Sequence, residues 1–216
     1  MDASIISRAI YCVNSVIISG NVELNATSDN ANSNGSSYVI SSDKSVTIKD
    51  YAAVNVSVNK ASFEAIGIRT PPILHNDINI GDNAIVAAMI SSGAQYAYSI
   101  FAGKNLNISN NASVTAITGR ATYSYGIYTR NEIISDGTVI AVSLGSVKDS
   151  SYGIYCYSDN INISGGCGVA MGKTSATNSE PIGSYTGSWD TANGAISWGG
   201  AAIPVMEVTL SESSIS

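Results

Sequence analysis

Three aromatic residues recur at one place in a repeating pattern. Phe101, Tyr128 and Tyr155 each follow an isoleucine in the related segments YSIF (98–101), YGIY (125–128) and YGIY (152–155). Tyr11, Ser41 and Arg69 occupy the same column in earlier segments. If the isoleucine points into a core, the next residue of a strand points out. Phe101, Tyr128 and Tyr155 are then expected to form an exposed ladder, with the small residues Ser99, Gly126 and Gly153 beside them on the same face. Flat rings next to glycines offer stacking surfaces to sugar rings, and tyrosine adds a hydroxyl for hydrogen bonding. Arg69 and Arg130, on or near the same edge, would favour an acidic sugar through charge-assisted hydrogen bonds. Read structurally, the same column is a self-stacking ladder that only stabilises its sheet. Tyr38, Tyr98, Tyr125 and Tyr152, two before the same isoleucines, are expected to face inward as core.

Acidic residues share a second column. Asp50, Asp82 and Asp136 each lie two after an isoleucine, with Asn110 between the last two. Carboxylates stacked ~4.8 Å apart would raise each other's pKa or attract a hard cation such as Ca²⁺. Asp and Asn also suit a turn following a strand, with no ligand at all. Catalysis on this column is the weakest reading. Hydrolytic and eliminative enzymes need paired carboxylates, or calcium-binding acids with a base, whereas no adjacent Asp pair occurs and His75 is the only histidine. Three cysteines, Cys12, Cys156 and Cys167, show no metal-type or redox spacing and read as free thiols.

The elements that must position these columns are themselves repeats. Six segments superpose without gaps: VIISGNVELNA (16–26), VTIKDYAAVNV (46–56), INIGDNAIVAA (78–88), LNISNNASVTA (106–116), EIISDGTVIAV (132–142) and INISGGCGVAM (161–171). Their anchors are Ile18, Ile48, Ile80, Ile108, Ile134 and Ile163, spaced by 30, 32, 28, 26 and 29 residues. From the anchors, position −2 is apolar in every unit except at Glu132, positions 0, +6 and +8 are apolar throughout and position +4 is mostly small, the period-2 signature of strands. By that count Ile140/Val142 and Val169/Met171 are expected to point inward in the last two units. Three short strands per coil of about 29 residues describe a parallel β-helix of about six coils. Its expected hand is right-handed, following the usual crossover between parallel strands. Ser15, Ser45, Asp77, Asn105, Asn131 and Asn160, three before the anchors, are placed to hydrogen-bond rung to rung.

The composition agrees. The 216 residues include 28 isoleucines and 16 valines but only five leucines, a balance that excludes an α-rich fold. Ser, Asn and Gly number 35, 20 and 20, and charged residues are only 12%. A net charge of −6 argues against a nucleic-acid partner. No apolar run approaches 18 residues, so no membrane insertion is expected, and the first twenty residues do not read as a signal peptide. Two irregularities stand out. The turn RTPPILHN (69–76) is the longest insertion on its side, and 181–203, with Trp189 and Trp198 among glycines, breaks the repeat and reads as a cap.

The beat N-x-x-I-S-x-x-A-x-V-x-A followed by S-Y-G-I-Y, over roughly residues 8–180, resembles the β-helical regions of large bacterial surface proteins, some of which are described as carbohydrate-binding domains. Residues 205–216, VMEVTLSESSIS, resemble the opening strand of a group 2 bacterial immunoglobulin-like domain. The resemblances imply a β-helix over 1–203, a linker or first strand over 204–216, further domains in a parent chain, and an extracellular or cell-surface location. They also imply glycan binding or adhesion without catalysis. The alternatives are a polysaccharide lyase or glycoside hydrolase, and a purely structural stalk.

Overall fold

A computed structural model describes residues 5–74, 76–134, 137–145, 150–157, 161–163, 166–172, 178–184, 187–188 and 195–198. The chain is a parallel β-solenoid of about five turns, at about 29 residues per turn. The first coil contributes β1 (Ile6–Cys12), β2 (Val16–Ile18) and β3 (Glu23–Thr27), and the second β4 (Ser36–Ser42), β5 (Val46–Ile48) and β6 (Ala53–Val58). The third has β7 (Glu64–Arg69), β8 (Ile78–Ile80) and β9 (Ile85–Ile90). In the next two coils the first two strands fuse, giving β10 (Tyr96–Ile108) with β11 (Ala112–Thr118), and β12 (Tyr123–Ile134) with β13 (Gly137–Ser143). Then follow β14 (Ser150–Cys156), β15 (Ile161–Ile163), β16 (Cys167–Met171), β17 (Asn178–Ser184), β18 (Gly187–Ser188) and β19 (Ala195–Trp198). Among the described residues there is no α-helix, only a 3₁₀ turn at Pro72–Leu74.

Each strand pairs in parallel with its equivalent one coil on. One sheet carries the leading strands in the order β1-β4-β7-β10-β12-β14-β17, and the other runs β3-β6-β9-β11-β13-β16. Among the described residues the direction reverses where β18 pairs antiparallel with β17 and β19 with β16. Like residues therefore stack. Val46, Ile78 and Leu106 form one inward column and Ile48, Ile80 and Ile108 the next, all buried. Val54, Val86 and Val114 face them from the second sheet. The first coil is covered from one side only, so Ile10, Val16, Ile18, Leu24 and Ala26 are half-buried where their second-coil counterparts are fully enclosed.

The polar columns stack as well. Asn107 Nδ2 donates to Asn79 Oδ1 at 2.7 Å and Asn55 Nδ2 to Asn25 Oδ1 at 2.9 Å. Ser45 Oγ donates to Ser15 Oγ at 2.8 Å, on the column three before the anchors. At the corner preceding the leading strands, Ser124, Ser143 and Ser151 are buried and joined through their hydroxyls at 2.8 Å. A buried serine is tolerated when a neighbouring coil supplies its partner, which gives the abundance of serine a structural use.

The frame shifts where the repeats were superposed without gaps. Val139 lies five residues after Ile134, whereas Val114, its partner, lies six after Ile108. The turn before β13 is one residue shorter, so Val139 and Ala141 occupy the core column in place of Ile140 and Val142, while Val142 is buried outside that column. In the next coil Ala170 takes the inward place assigned to its neighbours Val169 and Met171. A one-residue change in turn length exchanges every inward and outward side chain of the strand that follows.

Candidate aromatic binding face

The leading strands do not alternate throughout. Val39 and Ile40 are consecutive, and both lie in the main core. Ala97, Ile100 and Ala102 also join that core, while Tyr98 belongs to a separate cluster with Tyr38 and Ile66. The next position, Ser99 or Gly126, is turned inward as well. A Cβ on Gly126 would meet Gly153 O at 2.6 Å and backbone atoms of Ala116 and Val142 at 3.0 Å. Two successive inward residues mark a kink that slips the alternation by one; its inner side holds Val39 in β4, but at Gly126 the backbone of neighbouring strands stands too close for a side chain.

That slip corrects two sequence expectations. Tyr38, Tyr98 and Tyr125 do not point into the solenoid but pack on its outer face, and Ser99 and Gly126 are not beside the aromatic column but behind it. Phe101 and Tyr128 are half-buried rather than freely exposed, because the tyrosines three residues earlier lean against them. The ring centroids of Tyr98 and Phe101 are 5.1 Å apart at 84°, and those of Tyr125 and Tyr128 are 5.1 Å apart at 80°. Spacing of three between aromatics, with a glycine or serine between them, was the available signal.

The result is a two-column array. Phe101, Tyr128 and Tyr155 stack at 5.1 and 5.3 Å, and Tyr98, Tyr125 and Tyr152 stack at 5.2 and 5.7 Å. Tyr96 and Tyr123 add a shorter third column, stacked at 5.0 Å. One flank of the array is built by Tyr157. Its ring lies 5.3 Å from that of Tyr128, and its hydroxyl donates to Gly103 O at 3.1 Å. Much of each ring face is therefore turned to another ring, which leaves edges and hydroxyls as the contact chemistry. Tyr98 and Tyr128 take no hydrogen-bond partner for their hydroxyls among the described residues.

Arginines close the array at its N-terminal end. In register, Phe101 is followed towards the N terminus by Arg69, Ser41 and Tyr11, and Tyr98 by Ile66, Tyr38 and Arg8. The Arg69 guanidinium carbon sits 4.4 Å from the centroid of Tyr38, and that of Arg8 4.5 Å from Tyr11. Tyr38 in turn donates its hydroxyl to Glu64 Oε2. Arg130 lies two residues beyond Tyr128 on the outward phase of β12, half-buried.

Burial raises the tyrosine hydroxyls. It pushes Tyr128 up to about 12, with the neighbouring Tyr155 and Tyr157 adding to the shift. Tyr38 also reaches about 12, through burial and then the Glu64 carboxylate. Tyr98 and Tyr125 rise further still, again chiefly by burial. These groups are neutral donors at physiological pH. An alkaline weakness follows. Above the ordinary tyrosine value of 10 the unfolded chain releases protons that the folded chain retains, so stability falls from about pH 10 through the folded value of about 12. The doubly substituted Tyr98→Phe/Tyr128→Phe chain should melt within about 2 °C of the parent at pH 8 and roughly 5 °C above it at pH 11.5. Identical melting-against-pH curves for the two chains would remove the tyrosine face as the cause.

The acidic column occupies a turn of special geometry. Asp50, Asp82 and Asn110 have φ of 63°, 54° and 53°, the left-handed region that Asn and Asp tolerate best after glycine. Gly20, at the equivalent place in the first coil, has φ 84°. Asp50 Oδ2 accepts the Gly20 backbone N–H at 2.9 Å, and Asp82 Oδ1 accepts from Asn110 Nδ2 at 2.8 Å. Both bonds join one coil to the next at this turn. Among the described residues no three His, Cys, Asp or Glu side chains converge as a metal-binding set. Asp136, His75 and Trp189 lie outside the described residues, as does the segment 205–216. Cys12, Cys156 and Cys167 are free thiols. No family model, curated protein or solved structure matches this chain.

Proposed function

We propose that this chain is a non-catalytic β-solenoid module of a bacterial surface protein, and that it binds a polysaccharide lying along the solenoid axis on the aromatic face. The observation that carries the reading is the three-rung array, whose rings repeat every 5.1 to 5.3 Å, with the hydroxyls of Tyr98 and Tyr128 taking no hydrogen-bond partner among the described residues. That repeat is comparable with the length of one pyranose unit, so successive sugars would meet equivalent side chains. Contacts by ring edges and hydroxyls, each contributing on the order of 1 kcal/mol, give an affinity in the high micromolar to millimolar range. The cell-surface setting and the companion domains come from the resemblance of the repeats and of 205–216.

The test is a glycan array probed with and without calcium, followed by titration of each retained sugar into the parent chain and Tyr128→Ala. Tyr128→Ala should weaken binding about fivefold or more while the circular dichroism spectrum stays unchanged. If no sugar is retained, or if the alanine variant binds equally well, the face is a structural ladder. That second reading, a rigid stalk, is favoured by one observation: the rings cover much of one another's faces.

A further inference from the structure

Arg69, a charged group on the aromatic face, makes no ion pair among the described residues. Arg69 ends β7, half-buried, with its guanidinium against the ring of Tyr38 at 4.4 Å. Its Nε is buried without a hydrogen-bond partner, and no carboxylate among the described residues pairs with it. Glu64, at the start of the same strand, accepts the hydroxyl of Tyr38. Arg69 is also placed in line with the proposed ligand track. It stands in register with Phe101, so it is the next rung after Phe101, Tyr128 and Tyr155 in one column.

From these observations we infer that Arg69 makes the aromatic face selective for polysaccharides whose sugars carry a carboxylate. The inference rests on the sugar-binding reading above and names its ligand class. A chain following the array would reach Arg69 about one strand spacing, ~4.8 Å, beyond Phe101. The end of the guanidinium offers two parallel N–H donors, which match the two oxygens of a uronic-acid carboxylate. Packing on Tyr38 holds the planar group in place, so little side-chain freedom remains to be lost on binding. The net charge of −6 opposes anion binding at long range, but charges beyond about 8 Å are largely screened at physiological salt, and the local contact decides.

The experiment titrates trigalacturonate and its methyl-esterified, neutral counterpart into the parent chain, Arg69→Gln and Arg69→Lys, with melting curves to establish that each is folded. The parent should bind the acid about tenfold more tightly than the ester. Arg69→Gln should bind both alike, at the affinity the parent has for the ester, and Arg69→Lys should keep a reduced preference. Equal affinities in the parent, or an acid preference that survives Arg69→Gln, overturn this inference and leave the sugar-binding reading standing. Failure of the parent to bind either sugar overturns that reading and the inference together.

Discussion

Replacing Ile108 by aspartate should lower the unfolding free energy by about 3–5 kcal/mol, a large fraction of the roughly 5–15 kcal/mol by which folded domains are stable. Ile108 is fully buried in mid-stack, in register with Ile80 before it and Ile134 after it. A carboxylate there meets only aliphatic neighbours, so it must either stay ionised without partners or take up a proton. Asn79→Asp, at the position just before the Ile80 anchor, is the matched control. Asn79 is half-buried, and its Oδ1 accepts from Asn107 Nδ2, a role a carboxylate oxygen can fill. Its cost should be below about 0.5 kcal/mol. Equal losses for the two variants in urea unfolding would mean that the inward and outward assignment of these columns is wrong.

Gly126→Val should be nearly as damaging, by a different route. Gly126 lies on the inner side of the kink in β12, where an added Cβ finds backbone atoms of three other residues within 3.0 Å. Backbone cannot rotate away as a flexible side chain can, so the coil must open or the strand must straighten. Overpacking of this kind costs about 1–3 kcal/mol and occasionally more. Straightening would also restore simple alternation and turn Tyr125 away from Tyr128, dismantling part of the aromatic array. Gly93→Val is the comparison, because nothing lies within 4 Å of a Cβ there. A melting temperature for Gly126→Val that matches Gly93→Val would disprove the kink as the element that builds the array.

Both predictions concern what could and could not be read from the residues alone. The solenoid was legible because isoleucine and valine recur at positions −2, 0 and +6 around anchors about 29 residues apart, and stacking then forces like onto like. Two things escaped that reading. The shortened turn before β13 moved Val139 into the place expected for Ile140, since a gap-free superposition carries no information on turn length. The kink at Ser99 and Gly126 reversed the assignment of Tyr98 and Tyr125, since strict alternation admits no two consecutive inward residues. Phe101, Tyr128 and Arg69 were identified on the outward phase, but the partners that define their environment, Tyr38, Tyr98, Tyr125 and Tyr157, were not.

The constant offset between paired strands also bears on how fast the chain folds. Along the column from Arg8 to Tyr152, paired residues lie 27 to 32 positions apart at every step. Among the described residues no strand pairing joins distant parts of the sequence, as it would in a sandwich. Divided by 216 residues, that separation is roughly 0.13, in the range of mixed α/β domains rather than of all-β barrels. Once one coil has closed, each further coil pays only its own loop-closure entropy and finds its template already laid down. Folding of this β protein is thus a propagation from a nucleus, and adding coils would lengthen the time to completion without raising the barrier to the first step.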